Sequence, residues 1–115
     1  MTQKRKRGDF GEDLAQKFLI KKGYQILDRN YLKKLGEIDI IALYEDMIVF
    51  VEVKTRKNFK YSYPSEAVDK YKQRKIKNTA CIYLEEKGFT DYKIRFDVCE
   101  VYLEERKIRF IENAF

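Results

Sequence analysis

Two apolar, β-branched runs separated by a short polar break are the feature that most constrains the fold of this chain. The first run covers residues 36–43 and the second covers residues 48–54, with residues 44–47 between them. Runs of this composition around a polar break are typical of a β-hairpin. Because both faces of the hairpin are apolar near the turn, the pattern predicts a pair of central strands in a sheet that is covered on both sides.

The register of this hairpin follows from its turn. If the turn is centred on residues 45–46, the strands form two apolar pairs and then two polar pairs: Leu43 with Ile48, Ile41 with Phe50, Asp39 with Glu52 and Glu37 with Lys54. One face is then wholly apolar: Ile38, Ile40, Ala42, Val49, Val51 and Val53. A loop of odd length would instead place Asp39 and Glu52 on opposite faces.

The polar end of the hairpin is unusual for a buried strand pair. Carboxylates are rarely buried unless they are paired or bound to a metal. Two carboxylates about 5 Å apart repel by roughly 3 kcal/mol at an effective dielectric constant of about 20. A divalent cation held by Asp39 and Glu52 reverses the sign of that interaction, and oxygen ligands favour Mg²⁺ or Mn²⁺. Lys54, on the same face, is placed to stabilise a developing oxyanion or to orient a water molecule.

A structural interpretation of the same residues stands beside this one. Asp39 and Glu52 could be paired with Lys54 and nearby arginines and have no chemical role. The chain has no histidine, which excludes histidine-based nucleophiles, general bases and zinc sites. It also has no glycine-rich phosphate-binding loop, so an NTPase or a dinucleotide enzyme is not expected.

Six motifs, in order along nearly the whole chain, resemble the YraN-like family of small bacterial proteins. They are Gly11-Glu12, Gly23-Tyr24-x-Ile26-Leu27-x-x-Asn30, Gly36-Glu37-Ile38-Asp39-x-Ile41-Ala42, Val49-Phe50-Val51-Glu52-Val53-Lys54-x-Arg56, Lys72-Gln73-Arg74 and Arg95-Phe96-Asp97-Val98. Asp39 followed by Glu52-Val53-Lys54 also resembles the core of PD-(D/E)xK nucleases. The family is similar to archaeal Holliday-junction resolvases and is described as a predicted endonuclease. The resemblance therefore implies a restriction-endonuclease or resolvase-like core.

The resemblance also implies roles for individual residues. Asp39 and Glu52, with the carbonyl of Val53, would bind Mg²⁺ or Mn²⁺, and Lys54 would stabilise charge on the phosphate. Glu37 would extend the metal shell. Glu12 lies on the apolar stripe of the first predicted helix and so faces the protein; in resolvase-like nucleases an acid on the first helix reaches the metal site. Glu12 also has a simpler interpretation, as a first-turn acid that stabilises the helix dipole.

Basic residues point to a polyanionic partner. The formal net charge is +6, which favours nucleic acid modestly. A loop at residues 55–65 interleaves Arg56, Lys57 and Lys60 with aromatic residues, a combination suited to phosphate contact and base stacking. The Lys72-Gln73-Arg74 motif falls where related nucleases place a polar residue near the scissile phosphate. The alternatives are an ordinary surface loop and a solvated helix face.

The remaining pattern predicts one α/β domain over residues 1–115, with a mixed central β-sheet flanked by helices. The predicted order is a helix at 10–22 with a capping box at Asp9 and Glu12, three strands, a long helix at 66–87 that ends at Gly88, and two strands. Residues 1–7 are expected to form a flexible basic arm. The two cysteines, Cys81 and Cys99, fit core positions, and Arg95 and Asp97 fit a structural ion pair.

No apolar run reaches the length of about 20 residues needed to span a bilayer, so we expect a cytoplasmic protein without a membrane partner. The leading hypothesis is a metal-dependent endonuclease acting on DNA, with branched DNA as the substrate that the resemblance implies. A homodimer is a further expectation, because junction enzymes commonly use two active sites. The alternatives are a non-catalytic nucleic-acid-binding module on the same fold and a protein-interaction subunit.

Overall fold

The computed structural model describes residues 3–59 and 68–115, with residues 3–8 as helical backbone only. Two helices and five strands follow one another as α1 (Gln3–Lys21), β1 (Gln25–Lys33), β2 (Gly36–Tyr44), β3 (Met47–Arg56), α2 (Lys70–Lys87), β4 (Lys93–Tyr102) and β5 (Lys107–Ile111). This order matches the prediction from the sequence.

The strands form one five-stranded sheet in the order β1-β2-β3-β4-β5. Three of the neighbouring pairs are antiparallel, and β3 and β4 are parallel. A parallel pair needs a crossover connection, and here α2 supplies it. The predicted single α/β domain with a mixed sheet flanked by helices is therefore confirmed.

Each helix covers one face of the sheet. The cluster under α1 consists of Ala15, Leu19, Tyr24, Ile40, Ala42, Val49, Val51, Cys99 and Val101. The cluster under α2 consists of Ile38, Ile41, Ile48, Phe50, Val68, Ile76, Ala80, Tyr83 and Val98. Residues 40–42 and 48–51 alternate between the two clusters, because successive side chains of a strand point to opposite faces.

Helix α1 begins earlier than the sequence predicted. It begins at Gln3, seven residues before the predicted start, and its first turn has no acidic residue. Asp9 and Glu12 therefore lie inside the helix, and the predicted capping box is wrong. Lysine, arginine and glutamine have good helix propensities, which is why the helix can continue through this basic segment without an apolar stripe.

Two smaller predictions are also corrected. Ile38 packs in the cluster under α2 and not with Ile40, because the paired region of β2 and β3 ends at Ile40 and Val51. Cys99 is buried as predicted, but Cys81 is exposed, since α2 buries Ile76, Thr79, Ala80 and Tyr83 instead.

The predicted ion pair of Arg95 and Asp97 is confirmed. Arg95 donates from Nη2 to Asp97 Oδ2 at 2.7 Å, and Asp97 is fully buried. Arg95 also donates to the Tyr24 hydroxyl, and the amide of Asn113 donates to Asp97 Oδ1. The pair thus joins β4 to the residue before β1 and to the residues after β5. None of the helices in the described part of the chain is long and apolar enough to cross a membrane.

Candidate active site

Asp39 and Glu52 lie at the point where the β2–β3 ladder ends. The pairs predicted near the turn are present, Ile41 with Phe50 and Leu43 with Ile48, and the last regular pair is Ile40 with Val51. Asp39 and Glu52 follow directly after it. In place of a further regular pair, Asp39 Oδ2 accepts a hydrogen bond of 2.8 Å from the main-chain N–H of Val53. The fourth predicted pair, Glu37 with Lys54, is not part of the ladder.

The charge on Asp39 is costly in this position. Burial and the neighbouring charge of Glu52 raise the pKa of Asp39 to about 8, although the Val53 N–H opposes the shift. The carboxylates of Glu12 and Glu37 add to it. Four acidic side chains from α1, β2 and β3 therefore act on one another, so a cation at Asp39 would relieve an unfavourable interaction.

Glu52 has a cationic partner that comes from α2. The Lys72 Nζ lies 2.6 Å from Glu52 Oε1, and the Glu52 side chain is only 7% exposed. Burial lowers the pKa of Lys72, but the hydrogen bond with Glu52 and the charges of Glu52 and Asp39 outweigh it, so the pKa is raised overall. One oxygen of each buried acid thus has a protein partner.

The start of α2 places Lys72. Asp69 is the N-cap, and its side chain accepts a 2.8 Å hydrogen bond from the main-chain N–H of Lys72. An aspartate at this position satisfies one of the unpaired N–H groups of the first turn. The cap fixes the first turn of α2, and from that turn the side chain of Lys72 reaches Glu52 of β3. The sequence motif indicated Lys72, but the sequence analysis missed both Asp69 and the contact with Glu52.

A cleft of about 380 Å³ opens beside these groups. Its walls come from β2, β3 and the first turns of α2: Gly36, Glu37, Asp39, Glu52, Asp69, Tyr71, Lys72, Lys75 and Ile76. Tyr71 and Lys75 were not predicted as site residues. The available signal for them was a tyrosine among the lysines and arginines at the start of the predicted helix. Strand β2 approaches α2 closely at Gly36, where a Cβ atom would lie 3.0 Å from Thr79 Oγ1.

Two of the five predicted catalytic residues, Glu12 and Lys54, lie outside the walls of the cleft. Glu12, on α1, has a side chain that is 14% exposed and lies 3.5 Å from Arg29 Nη2. Burial raises the pKa of Glu12, and Arg29 partly offsets the effect. Lys54 is half-buried, two residues beyond Glu52 in β3, and its neighbour across the parallel pair is the buried Glu100 of β4.

The predicted nucleic-acid contacts are only partly brought together. Lys57 and Arg74 are exposed, and Arg56 is half-buried. Gln73 does not line the cleft, because its Nε2 donates to the Val68 carbonyl at 2.7 Å and so braces the segment before α2. Lys60 lies outside the described residues, as do the rest of residues 60–65 of the predicted loop and residues 66–67 of the predicted long helix.

The donor set of the cleft is small but fits a divalent cation. In residues 3–59 and 68–115, no group of three or more His, Cys, Asp or Glu side chains is arranged to hold a metal ion. A cation in this cleft would have Asp39 and Glu52 as side-chain ligands, with main-chain oxygen and water completing its shell. Mg²⁺ is commonly bound in this way, through one or two carboxylates with several retained waters. The residues present fit such an ion.

Comparison with known proteins gives a consistent family. Residues 11–101 match the model of the uncharacterised protein family UPF0102. A UPF0102 protein of Clostridioides difficile is 50% identical over 111 residues, covering 96% of this chain and 97% of its own length. One from Caldanaerobacter subterraneus is 49% identical over 119 residues, covering 99% of this chain and 98% of its own length. One from Alkaliphilus oremlandii is 51% identical over 115 residues, covering 96% of this chain and 98% of its own length.

Among solved structures, the Pyrococcus furiosus protein SfsA in complex with Ca²⁺ is similar at a TM-score of 0.37 and 17% identity. The similarity covers 96% of this chain and 64% of the SfsA chain. A similarity at this level identifies neither the fold nor the activity.

Proposed function

This chain belongs to the uncharacterised protein family UPF0102, as its YraN-like motifs predicted, and we propose that it is a metal-dependent endonuclease that hydrolyses DNA phosphodiester bonds. The observation that carries the proposal is the pair of acids at the end of the β2–β3 ladder. Asp39 and Glu52 come from adjacent strands, line one cleft and repel each other, and Asp39 has a raised pKa. Perturbed carboxylates in a cleft are characteristic of functional sites.

Asp39 and Glu52, with the Val53 carbonyl, would hold Mg²⁺ or Mn²⁺. When bound, the cation supplies the charge that activates a water molecule for attack and that offsets charge on the phosphate. The Val53 N–H orients Asp39 by its 2.8 Å hydrogen bond, so one carboxylate oxygen has a fixed direction. Glu12 and Glu37, which both act electrostatically on Asp39, would extend the acidic shell.

The lysines have separate roles in this proposal. Lys72 compensates Glu52 in the metal-free protein, and its ammonium would turn to the scissile phosphate when the cation takes over Glu52. Lys54 would stabilise the negative charge that develops on the phosphate. Arg56, Lys57, Lys60 and Arg74 would contact the DNA backbone, and Gln73 would contribute only by bracing the start of α2. Branched DNA as substrate, a homodimer and a cytoplasmic location complete the proposal.

The direct test is cleavage of purified DNA substrates. Linear duplex, plasmid and four-way junction DNA are incubated with the protein in Mn²⁺, in Mg²⁺ and in EDTA. We expect cleavage only with a divalent cation, and its loss in Asp39→Ala and in Lys54→Ala with DNA binding retained. Asp46→Ala, in the exposed turn between β2 and β3, is the matched control and should cleave normally. Absence of cleavage on all three substrates would overturn the proposal.

One observation favours a second function, a nucleic-acid-binding module without catalysis. The 2.6 Å contact of Lys72 with Glu52 already compensates one of the two acids, so no cation is required there. In this alternative the protein binds DNA in EDTA as tightly as in Mn²⁺ and cleaves nothing. A thermal melt separates the two proposals, because a cation that binds only the folded protein raises the melting midpoint.

A further inference from the structure

Tyr71 is placed on the wall of the acidic cleft with its ring in solvent. It is 65% exposed, which makes it the most exposed aromatic side chain among the described residues. It lies in the first turn of α2, next in sequence to Lys72, whose ammonium contacts Glu52. Lys72 and Lys75 line the same cleft, and an aromatic ring beside basic side chains is the combination that sites for single-stranded nucleic acid use.

Two other exposed aromatic side chains of the described chain have ring partners that Tyr71 lacks. Phe59 packs on Tyr102 with ring centroids 4.2 Å apart, and Tyr92 packs on Phe89 at 5.2 Å. Within residues 3–59 and 68–115, no aromatic ring packs on Tyr71. The ring is instead approached by a cation, the Lys75 Nζ at 5.2 Å from its centroid, one helical turn further along α2.

We propose that Tyr71 is a stacking platform for an unpaired nucleobase beside the acid pair, so that the substrate is a nucleic acid with at least one unpaired nucleotide at the cleft. This inference rests on the proposed function. Any of the nucleobases can stack on an aromatic ring, so the platform does not require a particular sequence. A base in a continuous duplex is already stacked on its neighbours and is not available to the ring. Lys75 covers one face of the ring, which leaves the opposite face for the base.

The dimensions and charges of the cleft agree with this assignment. Its volume of about 380 Å³ lies within the range of about 300–1,000 Å³ that is typical of small-ligand pockets, which suits one nucleotide. Lys72 and Lys75 lie on the same wall as Tyr71 and can neutralise the phosphates on either side of the stacked base. Asp39 and Glu52 form the acidic part of the same cleft, where the phosphodiester would be cut.

The chain has no tryptophan, so Tyr71→Trp introduces a single fluorescent reporter at the proposed platform. Binding is measured in EDTA, without cleavage, to single-stranded DNA, to a continuous duplex, to a duplex with one unpaired nucleotide and to the same duplex with an abasic site instead. We expect quenching with single-stranded DNA and with the unpaired nucleotide, and none with the continuous or abasic duplex. The matched control, Tyr92→Trp after the other end of α2, should show no quenching.

Affinities of the Tyr71 variants give a second readout. We expect Tyr71→Leu to weaken binding to the unpaired nucleotide about 5- to 150-fold, the contribution of one stacked base, and Tyr71→Phe to retain it. Binding to the continuous duplex should change little. Thermal melts of both variants check that the fold is intact.

The results separate this inference from the endonuclease proposal. Quenching specific to unpaired bases, without cleavage in Mn²⁺, supports the platform and overturns the nuclease. Cleavage with equal quenching on all DNAs, or an equal loss of affinity for all of them in Tyr71→Leu, overturns the platform and leaves the nuclease. Absence of binding to any of these DNAs in EDTA overturns the platform, and absence of cleavage in Mn²⁺ as well overturns both.

Discussion

Asp39 and Glu52 have different kinds of partner, and this difference determines how substitutions at the site should affect the protein. Asp39 depends on a main-chain N–H that no side-chain substitution removes, whereas Glu52 depends on the Lys72 ammonium from another element. Because the pKa of Asp39 is raised, substitution of Asp39 should change how protein stability depends on pH. The stability of the protein with Glu52 in place should depend instead on whether Lys72, or a cation that replaces it, is present.

Asp39→Asn is expected to stabilise the metal-free protein increasingly as pH rises. The pKa of Asp39 is about 8 in the folded protein, raised by burial and by Glu52 from its ordinary value of 3.8. The proton is therefore held more tightly in the folded state, and its stabilising contribution is fully present below pH 3.8 and lost as pH rises through 8. The asparagine keeps an acceptor for the Val53 N–H and has no charge to bury.

Urea denaturation in EDTA from pH 5 to pH 9 checks this prediction. The free energy of unfolding of Asp39→Asn, minus that of the wild type, should grow from pH 5 to 8 and level off above about pH 8. Asp46→Asn, whose side chain is 69% exposed, should show no such growth. A difference that shrinks with rising pH would show that Asp39 is ionised and stabilised by its surroundings.

Lys72→Met should destabilise the metal-free protein by about 1 kcal/mol. It leaves the buried Glu52 carboxylate without its charged partner, but the Lys72 side chain is 50% exposed and water screens part of the interaction. If the proposed cation takes the place of the ammonium, Mn²⁺ should raise the melting midpoint more in Lys72→Met than in the wild type. The measurement is a thermal melt of both proteins with Mn²⁺ and with EDTA.

The control for Lys72 is Lys70→Met, which removes an exposed charge at the first position of α2 without touching Glu52. Its stability and its response to Mn²⁺ should equal those of the wild type. An equal Mn²⁺ shift in wild type and Lys72→Met would mean that no cation competes with Lys72, and it would favour the non-catalytic binding module.

At the scale of elements, the site depends on how closely α1 approaches the end of β3. Gly11 is buried in α1, and a Cβ atom there would overlap Thr55 Oγ1 and lie 3.0 Å from Thr55 Cβ. Thr55 follows Lys54 directly, so this contact sets the distance of α1, and of Glu12, from β3. A glycine is required here by the close approach, although it weakens a helix.

Gly11→Ala is expected to lower the free energy of unfolding by about 1–3 kcal/mol, because overpacking outweighs the gain in helix propensity. In a Thr55→Ala background the cost should fall, since the overlapping oxygen is gone. A double-mutant cycle by urea denaturation measures both effects. Lys17→Ala, on the exposed side of α1, is the control and should be close to neutral. Equal costs in both backgrounds would show that the contact with Thr55 is not responsible.

At the scale of the whole molecule, α1 and α2 give the two faces of the sheet different roles. The cleft is lined by residues of β2, β3 and the start of α2, and α1 covers the other face of the sheet. With a net charge of +6, any binding to DNA will depend on salt. The arrangement predicts that charges around the cleft contribute to this dependence and that charges on α1 do not.

Paired substitutions test this distribution of charge. Lys57→Ala with Arg74→Ala should weaken DNA binding in EDTA and reduce the slope of log affinity against log salt by about 2, nearly one for each phosphate that the protein no longer neutralises. Lys17→Ala with Lys21→Ala removes the same charge from α1 and should leave the slope unchanged. Equal effects of the two pairs, measured by fluorescence anisotropy, would show that binding follows net charge and not the face of α2.

The sequence by itself determined the order of the elements, the turn-proximal hairpin register, the end of α2 at Gly88, and the family. These depend on neighbouring residues: alternation along a strand, a glycine in the left-handed conformation, and motifs in a fixed order. The start of α1 was predicted too late in the chain, because a basic segment without an apolar stripe has only its helix propensity as a signal.

Only the tertiary structure decided which groups share the site. Lys72 reaches Glu52, Glu12 pairs with Arg29, and Tyr71 lines the same cleft as the two acids. Each of these arrangements joins residues from different elements. Gln73 and Lys72 are adjacent in one motif, yet one side chain braces its own helix start and the other crosses to β3. Periodicity assigns a residue to a face, but the packing of α1 and α2 against the sheet sets which side chains meet and how deeply each charge is buried.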